Sequence, residues 1–176
     1  MTIFFISDMH LGHKNIIRLS NRPFGSVEEM DQIIIDNYNS MVKEGDTAYD
    51  LGDFCFKNPK VYVDRFNVLP VRIKGSHDHD LKESTTPRML VIRPENEFDQ
   101  YGDPVVITLC HYAMRSWEIS HYGSWHLYGH HHGLLPPYGL SFDVGVDCWD
   151  FYPVSLAQVR EKMATLKPIL DFRERR

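Results

Sequence analysis

Thr2-Ile3-Phe4-Phe5-Ile6-Ser7-Asp8-Met9-His10 decides how this chain is read. Residues 3–6 form a continuous apolar run whose length suits a strand buried on both faces. The run ends in a carboxylate and an imidazole, Asp8 and His10. The same arrangement recurs down the chain. Residues 47–51 lead into Gly52-Asp53, and residues 71–74 into Gly75-Ser76-His77-Asp78. Residues 104–109 lead into Cys110-His111, and residues 125–128 into Gly129-His130-His131-His132. Carboxylates and imidazoles are ligands of divalent transition metals. In open α/β sheets, sites form at the carboxyl ends of strands. The pattern predicts a metal centre assembled from several strand ends.

Helical patterns lie between these strands. Ser26 and Glu29 read as a capping box. Val27, Met30, Ile33, Ile34, Tyr38, Met41 and Val42 behind it recur at three and four residues, predicting an amphipathic helix that ends near Gly45. Residues 60–66 read as helical. Residues 8–15 read as a polar loop, and residues 89–93 and 140–146 as further strands. A second capping box, Ser155 and Gln158, opens a helix with Leu156, Val159, Met163 and Leu166 on one face. The charged stretch 167–176 reads as a frayed tail. Alternating strands and helices indicate an α/β fold, parallel at first and with a second, mixed sheet later. The 176 residues suit one domain, spanning 1–176.

Composition narrows the function. Hydrophobic residues make up 43% and charged residues 24%, as in ordinary globular proteins. The net charge of -5 and the lack of a basic stripe argue against a nucleic-acid partner. No apolar run reaches membrane-spanning length, and residues 1–7 lack the basic flank of a signal peptide. The three cysteines form no Cys-x-x-Cys pair, which speaks against thiolate zinc sites and a disulfide framework. A protein of the reducing cytoplasm is expected.

Asp8 and His10, and likewise His130 and His132, are two residues apart. Side chains at that spacing point the same way in a strand or its exit loop. Asp53 has two carboxylate oxygens and can bridge two ions. With His111 the set supplies N and O donors for two divalent ions, of which Mn, Fe, Zn or Ni fit better than Mg or Ca alone. Two such ions can clamp a phosphoryl group and activate a water. His13 is a candidate phosphate contact, and Arg22 a candidate bidentate partner for a substrate phosphate. His131, lying between two ligands, should point away.

The ordered series Asp8-x-His10, Gly52-Asp53, Gly75-Ser76-His77-Asp78, His111 and Gly129-His130-x-His132 resembles the signature of calcineurin-like metallophosphoesterases. The run from Asp8 to Asn15 looks like that of small bacterial and phage members. The resemblance implies a four-layer α/β/β/α sandwich of two mixed sheets and a binuclear centre, with Mn²⁺ the leading ion. It places Asp8, His10, Asp53 and His132 on one ion, and Asp53, position 76, His111 and His130 on the other. It makes His77 the catalytic group near the leaving oxygen, oriented by Asp78, and a metal-bridging hydroxide the nucleophile. Ser76 stands where that signature has Asn, so the second ion is expected to be held more weakly. The implied substrates are small phosphate esters: nucleotides, cyclic nucleotides or simple phosphodiesters, with diesters favoured. A metal-binding scaffold without activity and a nuclease are the competing readings.

Overall fold

The computed structural model describes residues 1–169 except 57, 83, 100 and 101. Most of the stretch expected to be a frayed tail therefore lies outside the described residues. Among the described residues, eight strands form two mixed four-stranded sheets. The first has the order β3 (Val71–Arg72), β2 (Thr47–Asp50), β1 (Ile3–Ile6), β8 (Val154–Ser155), with β8 antiparallel to β1 and the others parallel. The second has the order β4 (Met89–Ile92), β5 (Ile107–Cys110), β6 (Trp125–Tyr128), β7 (Ser141–Asp143), with β4 antiparallel to β5 and the others parallel.

The apolar run 3–6 is buried on both faces, and strand alternation splits it between two cores. Phe4 and Ile6 face helix α2 (Val27–Met41), packing with Met30, Ile34, Ile35 and Tyr38. Phe5 points the other way. It joins Leu51, Ile73, Ile107, Leu109 and Leu127 in the layer between the sheets. Helix α3 (Leu156–Ala164) adds Leu156, Val159 and Met163 to that layer. The outer face of the second sheet is covered by the segment 112–124, whose Trp117 ring stacks on His126 of β6 at 5.3 Å.

Several local expectations are corrected. Residues 14–19 form a short helix, α1 (Lys14–Leu19), which starts inside the stretch 8–15 expected to be a polar loop; only Ile16 of it is buried, which leaves little periodicity to read. Residues 60–66 form two 3-10 turns, Pro59–Val61 and Val63–Arg65, and no α-helix. On α2, Ile35 turns inward and Ile33 is 36% exposed. Ser26 Oγ accepts from the Glu29 amide, but the Glu29 carboxylate accepts from Gly25, so the box at that end is not reciprocal. The box at Ser155 and Gln158 is complete.

Strands β1, β2, β3, β5, β6 and β7 release the chain at one edge of the sandwich. There the sheets are stitched together: Ser7 pairs in parallel with Gly145, and the Val146 amide donates to Ser7 O at 3.0 Å. No helix among the described residues is long and apolar enough to cross a membrane.

Candidate metal centre

Three of the five strand-end clusters arrive at this edge through a backbone kink. Asp8, His10, Asp53, His130 and His132 all have left-handed φ, from 48° to 72°. Such conformations are uncommon for non-glycine residues and cost energy, so the surrounding fold must impose them. Strand alternation is therefore not what pairs Asp8 with His10; both lie beyond the strand and are turned by the loop. Glycine permits the crowding. Gly52 has φ +110°, and a Cβ there would lie 2.6 Å from the Gly75 backbone and 2.9 Å from His111 Nδ1.

Two trios of ligand atoms converge: Asp8, His10 and His132, and Asp53, His111 and His130. Their free atoms face the same space. Asp8 Oδ2 accepts from the His130 amide at 2.8 Å, while Oδ1 is buried without a hydrogen-bond partner. His111 Nδ1 lies 3.0 Å from Leu51 O; since a carbonyl only accepts, Nδ1 carries a proton and Nε2 is the lone-pair donor of the neutral ring. His111 Nε2 and both ring nitrogens of His10 are buried without a hydrogen-bond partner. Asp53 Oδ1 accepts from the His77 amide at 2.7 Å. Its Oδ2 lies 3.7 Å from His10 Nε2 and 3.4 Å from His111 Nε2, within reach of both trios. Buried polar atoms normally find partners, and an ion is one reason they do not. The donor chemistry fits divalent metal binding.

The titration properties follow from burial and neighbours. Burial drives the Asp8 carboxyl up to about 6, against the pull of His111 and His132. Burial also lowers His10 to about 3, so it is a neutral donor at physiological pH. For Asp53, burial acts upward. His111 beside it, the His77 amide and His10 outweigh it and hold the carboxylate well below its ordinary range. Burial lowers His130, with His111 and His131 adding to the effect.

Other expected residues take other places. Ser76 Oγ donates to Asp53 Oδ2 at 2.9 Å, so it meets the site through the shared carboxylate. The His77 ring lies 5.5 Å from that of His10 and faces the open cavity. Asp78 does not orient His77. Its oxygens accept from the Asp53, Phe54 and Gly75 amides and from Arg72 Nη2, so it fixes the ligand loops by their backbone. His13 lines the cavity and stacks on Phe56 at 4.1 Å. His131 packs edge-on against Tyr128 at 6.2 Å.

Arg22 is the clearest correction. It is 5% exposed and offers nothing to a substrate. Its Nε and Nη2 each lie 2.8 Å from an Asp147 oxygen, and Nη1 and Nη2 donate to Met9 O and Asp8 O. Asp147 Oδ2 in turn lies 2.7 Å from His132 Nδ1. Sequence reading missed Asp147. The signal was Gly145-Val146-Asp147 after a strand, a glycine followed by a carboxylate much as at Gly52-Asp53. Burial would lower His132, yet the Asp147 hydrogen bond and the Asp8 charge raise it; the same bond and Arg22 depress Asp147 against its own burial.

No protein-family model matches the chain. The crystal structure of a protein of unknown function, AQ665 from Aquifex aeolicus, has a TM-score of 0.66 at 23% identity, covering 92% of this chain and 98% of that one. It shares the fold. A conserved uncharacterized protein from Streptococcus pneumoniae TIGR4, a predicted phosphoesterase, reaches a TM-score of 0.42 at 18% identity over 82% of this chain and 70% of that one. The Gene 66 protein of Mycobacterium phage L5 is 31% identical over 81 residues, 43% of this chain and 39% of that protein. The uncharacterized protein MJ1445 of Methanocaldococcus jannaschii is 32% identical over 184 residues, 96% of this chain and 97% of that protein. The chain belongs to the family of MJ1445.

Proposed function

We propose that this chain hydrolyses phosphate esters, phosphodiesters in preference to monoesters, with two divalent ions held side by side at the histidine–aspartate cluster. The observation that carries this reading is the ring of buried, unpartnered ligand atoms around Asp53 Oδ2. Asp8, His10 and His132 would hold one ion and His111 and His130 the other, with Asp53 shared. Two ions so held supply Lewis-acid charge for the phosphoryl oxygens and lower the pKa of a water. The protein's part is to aim the donors. Leu51 O and Asp147 set the tautomers of His111 and His132, and the His130 amide turns Asp8.

His77 would serve the leaving group. Its amide is tied to Asp53, which fixes the ring beside the cluster, and its ring borders the open cavity. A protonated imidazole there would donate to the departing oxygen. Manganese is the first ion to try, because the donor set mixes imidazole and carboxylate.

The test is turnover of bis-p-nitrophenyl phosphate and p-nitrophenyl phosphate with added Mn²⁺, beside a chelated control. Metal-dependent turnover is expected, and His77→Ala should slow it by roughly 10²–10⁴-fold with the metal still bound. No turnover of either ester by protein shown to hold metal would sink the hydrolase reading in favour of a metal-binding scaffold.

A further inference from the structure

The cavity above the cluster, about 490 Å³, is lined by the ligand cluster and by apolar side chains, with Ser20 and Asn21 among them. His10, Asp53, His77, His130 and His132 line it. Ile16 and Leu19 of α1 and Leu134, from the loop after the histidines, also line it. Leu19 is 64% exposed and Leu134 is 89% exposed, and neither belongs to either hydrophobic core. These leucines are not there to stabilise the fold; they hold apolar surface in water next to the ligand cluster. Their backbones are anchored. Leu134 N donates to His131 O at 2.9 Å, and Ser20 N, closing α1, donates to Ile16 O at 2.9 Å. Phe56, 52% exposed and stacked on His13, extends apolar surface beside the same cluster.

Charge gives the second half of the argument. No Lys or Arg is among the described residues lining the cavity, and Arg22 is turned into the protein. A second phosphate, or the extra charge of a terminal phosphate, would meet no Lys or Arg among the described residues of the cavity lining. A diester carries one negative charge and needs none.

Resting on the phosphoesterase reading, we propose that Leu19 and Leu134 flank a subsite for an apolar, aryl-sized substituent of a phosphodiester. The two leucines then set substrate preference: an apolar group is drawn from water onto them, while the phosphate sits over the histidines. An apolar contact of this kind discriminates by about tenfold or more.

Binding is read first, because it needs no turnover. The Mn²⁺-loaded protein is titrated calorimetrically with diphenyl phosphate and with dimethyl phosphate. Diphenyl phosphate should bind at least about tenfold more tightly. In a Leu19→Ser/Leu134→Ser double variant the ratio should fall to about twofold or less. Leu69→Ser, at a 55% exposed leucine outside the cavity lining, should keep the wild-type ratio. Equal binding of the two diesters would overturn the proposal, as would a preference that survives in the double variant. Turnover of bis-p-nitrophenyl phosphate in the same samples judges the activity separately. A selective subsite without turnover would retain the inference and reject the hydrolase, and turnover without selectivity would do the reverse.

Discussion

The two ligand trios are braced in parallel ways, yet the braces touch them differently. Behind Asp8, His10 and His132 lies Arg22, clasping Asp147; behind Asp53, His111 and His130 lies Arg72, clasping Asp78. In the first, the clasped carboxylate reaches a ligand itself, with Asp147 Oδ2 2.7 Å from His132 Nδ1. In the second, Asp78 reaches only amides, at Asp53, Phe54 and Gly75. One brace tunes a donor as well as holding it, because a carboxylate behind an imidazole raises its basicity. The other fixes the path of two loops and leaves the donors' chemistry to Leu51 O and Ser76.

The largest blow to this symmetry should come from Arg22→Ala. It strands Asp147 with little solvent and cuts the loop at Asp8 and Met9 loose, so a stability loss of roughly 3–5 kcal/mol is expected by denaturant titration. Arg72→Ala should cost less. Asp50, 3.5 Å from Arg72, is already pushed up to about 8 by burial and by Asp78, and a proton on it relieves the lost cation. Equal losses would show that the two braces carry the same load.

Asp147→Asn should lower affinity for one ion by roughly 10–100-fold while sparing the other, read as two separated transitions in a Mn²⁺ titration. Both transitions moving together would mean that the trios are not independent sites. Ser76→Asn should act the opposite way and on the other ion, tightening it by about tenfold or less, since an amide oxygen replaces a hydroxyl that is spent on Asp53. An unchanged second transition would remove position 76 from the site.

The last effect concerns pH, and the two halves should oppose each other. Asp147 is held below its ordinary value by His132 and Arg22 in spite of burial, so it stabilises the fold above that ordinary value and this contribution is lost as pH falls. Asp50 is raised from 3.8 to about 8, so the folded state binds the extra proton and stability falls as pH rises across that window. Asp50→Asn should therefore gain Tm over the native chain at pH about 8 but little at pH about 4. A difference that does not change with pH would mean that Asp50 is ionised throughout.

The clusters were legible because each was announced locally. A strand-length stretch, a glycine and a metal-binding side chain occur together at Gly52-Asp53 and Gly129-His130, and no long-range knowledge is needed to see them. The β1 run and the Ser155 cap were equally readable, since burial on both faces and a reciprocal cap are written in adjacent residues. Helix α1 was hidden, because a helix that buries one residue has no period to display.

What the sequence determined by itself was therefore the α/β class, the strand ends and the set of candidate donors, all functions of spacing within a few residues. What the tertiary structure decided was how those donors are used. Arg22 reads as a free cation until the fold brings Asp147, 125 residues away, onto it. Asp78 reads as the neighbour of His77 until the Asp53 and Phe54 amides, 25 and 24 residues away, claim its oxygens. Left-handed kinks at the ligands, the pairing of trios around Asp53 and the apolar side chains lining the cavity share that origin. Each depends on contacts between strand ends that are distant in the chain, and spacing along the chain carries no record of which end meets which.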